Sequence, residues 1–305
     1  MRRSLWLSTL VIALMLAGYS LPVTARPAAL GPHTPAAPRI IVRGVAPALV
    51  ASPPFTVSLP LVMRPADDSV SDPLPPGPVT IVALGDSLTA GDGDNLEQGG
   101  YPGRLLHLVQ QRRAGSSMTN LGRSGWNSDA LINGDQGLAG QLGQAETALG
   151  QAIADGQGAV ALVWIGSNDL WYLYDFGVGS DQGDVDDLAH YTANFDMIVS
   201  RLHATGARVV VALLDDQSRR PVATSGAYSN ITPAELARMS QQVMRYNAAI
   251  SAEAAQHGAS TVDFYHTTIF TDPAMLADDG NHPNAVGYDA VTQIWFAAFD
   301  PLLGS

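Results

Sequence analysis

Apolar runs alternate with amphipathic segments along the chain from residue 78 onward. Short continuous apolar runs are typical of buried strands, and longer segments with an apolar repeat of about 3.6 residues are typical of helices. The pattern predicts strands at Val79–Leu84, Met118–Leu121, Ala159–Ile165, Arg208–Leu214 and Thr261–Tyr265. It predicts helices at Leu105–Arg113, Leu142–Ala154, Leu188–His203, Pro233–His257 and Asn284–Phe299. Because helices separate the strands, we predict an α/β fold with right-handed crossovers and a five-stranded, parallel, doubly wound sheet.

The first 25 residues have the composition of an export signal. Two arginines precede the apolar stretch Leu5–Ala17, and small residues at positions 23–25 precede Arg26. The stretch is short for a membrane span, so we predict a signal peptide over residues 1–25. The mature protein is then secreted or extracytoplasmic, with no stable membrane span. An uncleaved anchor over residues 5–23 is the alternative interpretation.

Residues 26–77 are rich in proline and alanine. This composition favours an extended, semi-rigid linker that leads into a domain over residues 78–305. The segment Phe55–Met63 is an exception, because its apolar pattern also fits a strand packed against the domain.

Composition excludes several classes of chemistry. The net charge is −12, which argues against nucleic acid as a partner. The chain has no cysteine and no lysine, which excludes disulfides, thiolate nucleophiles, Schiff bases and a P-loop lysine. We expect no cofactor. We also expect no metal site, because Asp92–Asn95 hints at a calcium loop but Leu96 stands where a ligand belongs.

Ser87 directly follows the first predicted strand. It therefore lies at a carboxyl strand end, where doubly wound sheets bind their ligands. A serine hydroxyl needs a neighbouring base to act as a nucleophile at neutral pH, and that base needs an orienting partner. Taken by itself, Ser87 is better explained as a helix cap.

Candidates for the base and its partner follow the fifth predicted strand. Asp279 and His282 stand three residues apart, so a turn can bring both side chains to one side. Asp279 can then accept the Nδ1 proton of His282 and leave Nε2 facing Ser87. Asp278 is a rival orienting acid, and a polar loop before a helix is the alternative interpretation.

Two further strand ends carry groups able to stabilise an oxyanion. Gly125 follows the second predicted strand and offers a backbone N–H, and Asn168 follows the third and offers a side-chain amide. An ordinary glycine turn and an asparagine cap are the alternatives.

Aromatic residues follow Asn168. Trp171, Tyr172 and Tyr174 are candidates for a wall of the substrate site, although the segment could also pack on itself. His266 follows the fifth predicted strand and is more readily interpreted as a structural histidine.

Together these segments resemble the sequence blocks of the SGNH, or GDSL-type, hydrolases over about residues 78–303. Gly85–Leu88 is similar to the first block and Ser124-Gly125 to the second. Gly166–Asp169 is similar to the third block, and Asp279–Asn284 to the last.

The resemblance implies a three-layer α/β/α sandwich of flavodoxin-like topology. It implies Ser87 as nucleophile, His282 as base and Asp279 as its orienting acid. It also implies an oxyanion hole built from the backbone N–H groups of Ser87 and Gly125 and the amide of Asn168.

The expected function is that of a serine ester hydrolase acting through an acyl-enzyme. Short-chain or carbohydrate acyl esters are slightly favoured as substrates, and a lipase, lysophospholipase or thioesterase of the same fold is the alternative. Thr89 stands where the Gly-x-Ser-x-Gly pattern of the α/β-hydrolases needs its second glycine, which argues against that other serine-esterase fold. A non-catalytic carbohydrate- or surface-binding module is an alternative of another class. We expect a monomer whose partners are small-molecule, lipid or carbohydrate esters.

Overall fold

The computed structural model describes residues 73–96, 98–177, 180–225 and 231–304. The predicted signal peptide, most of the predicted linker and the segment Phe55–Met63 lie outside these residues.

One parallel sheet forms the centre of the fold, with strand order β2-β1-β3-β4-β5. The strands are β1 Val79–Gly85, β2 Ser117–Asn120, β3 Gly158–Trp164, β4 Arg208–Leu213 and β5 Ser260–Asp263. All five predicted strands are present, with ends shifted by one or two residues. The predicted α/β fold is therefore confirmed.

The helices in the described part of the chain fall into long and short groups. The long helices are α2 Gly100–Arg112, α4 Gln141–Ala154, α6 Asp181–Ala204, α8 Pro233–Gln256 and α9 Ala285–Leu303. The short helices are α1 Ser87–Ala90, α3 Ser128–Asn133, α5 Ser167–Trp171 and α7 Pro221–Thr224. Each long helix corresponds to a predicted one, but α2 starts five residues before the predicted Leu105 and α6 starts seven residues before the predicted Leu188. Among the short helices, the sequence indicated only a helix start at Ser87. The others were not predicted, because one or two turns are too short to show an apolar repeat.

The long helices cover both faces of the sheet. Right-handed crossovers place α2 on one face and α4, α6 and α8 on the other. In agreement, α2 packs on α9, whereas α6 packs on both α4 and α8. Because both faces are covered, β1 and β3 are buried almost throughout, which explains their continuous apolar sequences.

An aromatic cluster fills the core beneath the carboxyl end of β3. The Trp164 ring stacks on Phe264 at a centroid distance of 4.2 Å. Tyr101 of α2 stacks on Trp295 of α9 at 5.2 Å. These rings bury a large apolar area and give the neighbouring strand ends a rigid base.

Residues 73–77, at the end of the predicted linker, are attached to the domain. The Leu74 backbone N–H donates to the Leu302 carbonyl at 2.8 Å, and the Leu74 side chain is buried. Arg113 donates from Nη1 to the carbonyls of Pro75 and Gly77 at 2.9 and 3.1 Å. The packed domain therefore starts before residue 78.

Among the described helices, none combines the length and the apolar character that a bilayer crossing requires.

Candidate active site

Ser87, His282 and Asp279 form one continuous hydrogen-bonded chain at the carboxyl edge of the sheet. His282 Nε2 lies 2.9 Å from Ser87 Oγ, and His282 Nδ1 lies 2.6 Å from Asp279 Oδ2. Because an ionised carboxylate can only accept, Nδ1 carries the imidazole proton and Nε2 presents its lone pair to the serine hydroxyl. This tautomer is the one that lets His282 take a proton from Ser87.

The Asp279 carboxylate is held in its ionised form. Burial works to raise its pKa, but the His282 ring and the backbone N–H groups of His282 and Asn281 all donate to it. These hydrogen bonds outweigh burial, and the pKa of Asp279 lies below its usual range.

The turn that carries Ser87 is tightly packed. A Cβ on Gly85 would lie 2.3 Å from the Trp164 carbonyl oxygen and 2.3 Å from Thr89 Oγ1, so only glycine fits. The buried Gln141 side chain pairs with both backbone groups of Gly85 at 2.8 Å each. Ser87 therefore starts α1 from a fixed position directly after β1.

Asp86 caps the helix that begins at Ser87. Its Oδ1 accepts from the Leu88 N–H at 2.9 Å, and Oδ2 is buried without a hydrogen-bond partner among the described residues. Burial raises the pKa of Asp86 to about 7, although the Leu88 hydrogen bond and the Arg220 charge both act to lower it. A carboxyl group that titrates near neutral pH thus lies next to Ser87.

The predicted oxyanion donors line the same cavity as Ser87 and His282. Gly125 has a φ of 79°, a left-handed conformation that favours glycine. Asn168 donates one side-chain N–H to the Trp126 carbonyl at 2.8 Å, which fixes the amide and leaves its second N–H for the cavity. The arrangement can therefore offer N–H groups to a negatively charged oxygen.

A buried carboxylate ties these two donor loops together. Asp169 accepts from the backbone N–H of Ser128 at 3.0 and 3.2 Å and from its hydroxyl at 2.5 Å. Asn194 donates to the Ser128 Oγ at 2.9 Å. Burial raises the pKa of Asp169 to about 6, against the lowering effect of Ser128. The network fixes the loop after β2 relative to the start of α5.

The loop after β4 supports the loop that carries His282. Arg220 is buried and donates to both oxygens of the buried Asp215, at 2.8 and 2.6 Å. A third donor, Arg220 Nη1, bonds Asn281 Oδ1 at 2.8 Å, and the Val222 N–H bonds the Gly280 carbonyl at 3.0 Å.

Arg220 also fixes the orientation of the Asn281 amide. A guanidinium only donates, so the oxygen of Asn281 must face Arg220 and its Nδ2 must face the other way. Nδ2 lies 3.3 Å from His282 Nε2. The Asp215–Arg220 ion pair thus supports the position of the His282 imidazole through one intervening side chain, that of Asn281.

The cavity in front of Ser87 has a volume of about 290 Å³. Its walls combine the predicted residues with polar residues that the sequence pattern did not single out. They are Ser87, Asp92, Ser124, Gly125, Asn168, Trp171, Tyr172, Asp175, Asn281 and His282.

Two of the three aromatic candidates line the cavity, and one does not. Trp171 and Tyr172 form part of its wall, and the Tyr172 hydroxyl donates to the Gly125 carbonyl at 2.8 Å. Tyr174 is only 1% exposed, and its hydroxyl donates to Asp184 at 3.0 Å. The structure therefore places Tyr174, predicted as a substrate contact, in the core and outside the cavity wall. A π-helical turn at Tyr172–Phe176 changes the register and turns Tyr174 into the core.

His266 lies outside the cavity. Its Nδ1 bonds Asp263 Oδ2 at 2.6 Å with the same three-residue spacing as Asp279 and His282. Its side chain is 72% exposed. Spacing alone therefore does not distinguish the two Asp–His pairs, whereas the hydrogen bond between His282 and Ser87 does.

The acidic segment that hinted at calcium has other partners. Asp94 accepts from Arg104 Nη1 and Nη2 at 2.5 and 3.0 Å, and from the Gly100 N–H at 3.0 Å. Asp92 Oδ2 accepts from the Ser124 hydroxyl at 2.6 Å and lies in the cavity wall.

The sequence pattern missed several supporting residues. Asn281 lies inside the last motif, but its role depends on contacts with Arg220 and His282 that the motif alone does not show. Arg220 and Gln141 lie in a loop and at a helix start that carry no motif. The available signal for Arg220 was an acidic residue, Asp215, directly after a buried strand, which needs a cation nearby.

Several solved structures share this fold. An alpha/beta hydrolase enzyme from the metagenome of Lake Arreo, Spain, is 21% identical with a TM-score of 0.50, covering 74% of this chain and 97% of its own. An acetylxylan esterase from Geobacillus stearothermophilus is 18% identical with a TM-score of 0.50, covering 75% and 96%. The psychrotrophic esterase EstA from Pseudoalteromonas sp. is 17% identical with a TM-score of 0.50, covering 74% and 99%. No curated protein matches the chain.

The sequence model of the GDSL-like lipase/acylhydrolase family matches residues 83–290, which include Ser87, Gly125, Asn168, Asp279 and His282. The chain belongs to the GDSL-like lipase/acylhydrolase family and is an ester-bond hydrolase.

Proposed function

We propose that the protein is an exported serine esterase that removes short acyl groups from carbohydrate or other small alcohols through an acyl-enzyme on Ser87. One observation carries the proposal: the unbroken chain from Asp279 through His282 to Ser87 opens into a small cavity lined by polar and aromatic residues.

In the first half of the reaction, His282 Nε2 takes the Ser87 proton while Oγ attacks the ester carbonyl carbon. The carbonyl π bond breaks and its electrons move to the oxygen. His282 then gives the proton to the alcohol oxygen, the C–O bond breaks, and the acyl group remains on Ser87.

In the second half, His282 takes a proton from water, and the resulting nucleophile attacks the acyl-enzyme carbonyl. The proton returns to Ser87 Oγ as the acid departs. Asp279 stays ionised and stabilises the imidazolium in both halves.

The negative oxygen needs donors that are already in place. The backbone N–H groups of Ser87 and Gly125 and the second N–H of Asn168 fill this role in the proposal. Loss of one such donor typically lowers kcat by about 10²–10³-fold.

The size of the cavity and the polar side chains in its wall support a short acyl group. A volume of about 290 Å³ lies at the small end of the range for ligand pockets. Carboxylates and amides in its wall are poor contacts for an alkyl chain. The similar fold of an acetylxylan esterase is compatible with a carbohydrate ester.

A panel of p-nitrophenyl esters from acetate to palmitate, together with acetylated xylan, tests the substrate class. We expect kcat/KM to be highest for acetate and to fall with chain length. Activity that rises towards palmitate would instead favour a lipase, lysophospholipase or thioesterase.

Matched variants test the roles of the residues in the same assay. Ser87→Ala and His282→Ala should lose several orders of magnitude in kcat, and Asp279→Ala should lose less, as for comparable triads. His266→Ala removes a histidine with the same Asp partner geometry outside the cavity and should leave kcat unchanged. Full activity in Ser87→Ala would overturn the mechanism, and no ester hydrolysis in the wild type would favour a non-catalytic binding module.

Export is part of the proposal and rests on the N-terminal composition. Amino-terminal sequencing of the protein recovered outside the cytoplasm should start at Arg26. An intact amino terminus at Met1 would contradict cleavage.

A further inference from the structure

The cavity in front of Ser87 is acidic. Asp92 and Asp175 belong to its wall, and none of the described residues in the wall is an arginine. The chain contains no lysine, and its net charge is −12. A low-dielectric cavity lined by one sign of charge concentrates the opposite charge.

Asp92 is held in the wall from two sides. Its Oδ2 accepts from the Ser124 hydroxyl at 2.6 Å, and its backbone carbonyl accepts from the Tyr288 hydroxyl at 2.8 Å. The carboxylate therefore keeps a fixed position in the cavity and does not need to be ordered when a ligand arrives.

The segment that carries Asp92 packs against the loop that carries His282. The next residue, Gly93, comes so close to the last motif that a Cβ there would lie 2.9 Å from His282 Cβ. In the proposed mechanism His282 gives its proton to the departing alcohol oxygen. Because Asp92 lines the same cavity as His282, a charge on the alcohol part would come near the Asp92 carboxylate.

Aromatic residues complete the surroundings. Trp171 and Tyr172 line the cavity together with Asp175. Aromatic rings attract cations through their quadrupole, and the attraction grows when the cation is partly desolvated. Carboxylates and aromatic rings in one small cavity fit a positively charged group and disfavour a negatively charged one.

We propose that the cavity selects esters by charge, favouring those whose alcohol part carries a positively charged nitrogen and rejecting those whose alcohol part is anionic. This inference rests on the proposed function, because it assigns the alcohol part of the same reaction.

Three acetate esters of similar size test the inference: acetylcholine, its neutral isostere 3,3-dimethylbutyl acetate, and the anionic 4-acetoxybutyrate. The measured quantity is the ratio of kcat/KM for the cationic ester to that for its neutral isostere. Comparing this ratio between enzyme variants cancels the intrinsic reactivity of each ester.

The double variant Asp92→Asn/Asp175→Asn should lower the cation-to-neutral ratio by about tenfold and raise the anion-to-neutral ratio, because two nearby carboxylates each contribute a few-fold. Asp155→Asn is the matched control: Asp155 is exposed just beyond the end of α4, before β3 starts at the opposite edge of the sheet. The Asp155→Asn control should change the cation-to-neutral ratio by less than about twofold, since salt screens an exposed charge at the opposite edge of the sheet.

Ionic strength gives a second measurement on the unmodified protein. The cation-to-neutral ratio should fall between about 0.01 M and about 1 M salt, because salt screens the carboxylates. An identical ratio in the wild type and the double variant, or a ratio that does not respond to salt, would overturn the inference while leaving the proposed function intact. Hydrolysis retained in Ser87→Ala would overturn the proposed function and this inference with it.

Discussion

At the scale of single residues, Asp86 links the stability of the fold to the carboxyl edge of the sheet, where the active site lies. Its side chain caps α1, which starts at the nucleophile, yet it lies in a fully buried position. Burial raises its pKa from an ordinary 3.8 to about 7. Folding at pH 8 therefore requires a buried negative charge, which is unfavourable.

The sign of the resulting pH dependence follows from proton binding. Between pH 3.8 and about 7 the unfolded chain has released the Asp86 proton and the folded chain still holds it. The stability contributed by the protonated carboxyl is thus fully present below pH 3.8 and is lost as the pH rises through about 7.

Asp86→Asn should remove this dependence, because the amide keeps an oxygen for the Leu88 N–H and does not titrate. The free energy of unfolding of the variant minus that of the wild type should increase by about 3 kcal/mol from about pH 4.5 to about pH 8, because only the wild type loses this stability. Urea denaturation at both pH values measures the free energy of unfolding of each protein, with the exposed Asp155→Asn as control. A difference between Asp86→Asn and wild type that is the same at both pH values would contradict the assigned pKa.

At the scale of elements, the loop after β4 fixes the loop after β5. The buried Asp215–Arg220 pair reaches Asn281, and a backbone hydrogen bond joins Val222 to Gly280. Phe270 lies under the guanidinium at 4.7 Å. His282 must keep its position relative to Ser87 to within a fraction of an ångström. We therefore expect the hydrogen bonds from the loop after β4 to affect kcat.

Arg220→Lys keeps the charge but cannot form both bonds to Asp215 and the bond to Asn281 at once. We expect kcat to fall by about 10–100-fold with a smaller change in KM, because the chemistry depends on the position of His282 more than binding does. Arg201→Lys alters an exposed ion pair with Glu146 between α4 and α6 and is the matched control. Equal kinetic effects of the two substitutions would show that Arg220 has no positioning role.

The elements were predictable to different degrees for physical reasons. Buried strands and long helices carry apolar periodicity. The predicted strand Ala159–Ile165 and the predicted helix Pro233–His257 each lie within one residue of the observed element. The helices α3 and α5 are too short to carry it. The π-helical turn at Tyr172–Phe176 depends on tertiary packing, so the inward orientation of Tyr174 could not be predicted from its sequence neighbourhood.

At the scale of the whole molecule, the parallel sheet explains why distant segments converge. Ser87 and His282 lie 195 positions apart, yet both follow carboxyl strand ends at one edge. The sequence motifs could therefore predict which residues meet. They could not predict the partners Arg220, Asp169 and Gln141, because their roles arise from burial and from complementary donors and acceptors contributed by other loops.

The central claim is that His282 activates Ser87 as the nucleophile, and covalent labelling with a fluorophosphonate tests it most directly. Intact-mass measurement should show one adduct per chain, and peptide mapping should place it on Ser87. Labelling should be abolished in Ser87→Ala, slowed by orders of magnitude in His282→Ala, and unchanged in His266→Ala. An adduct on another residue, or equal labelling rates in wild type and His282→Ala, would contradict the account.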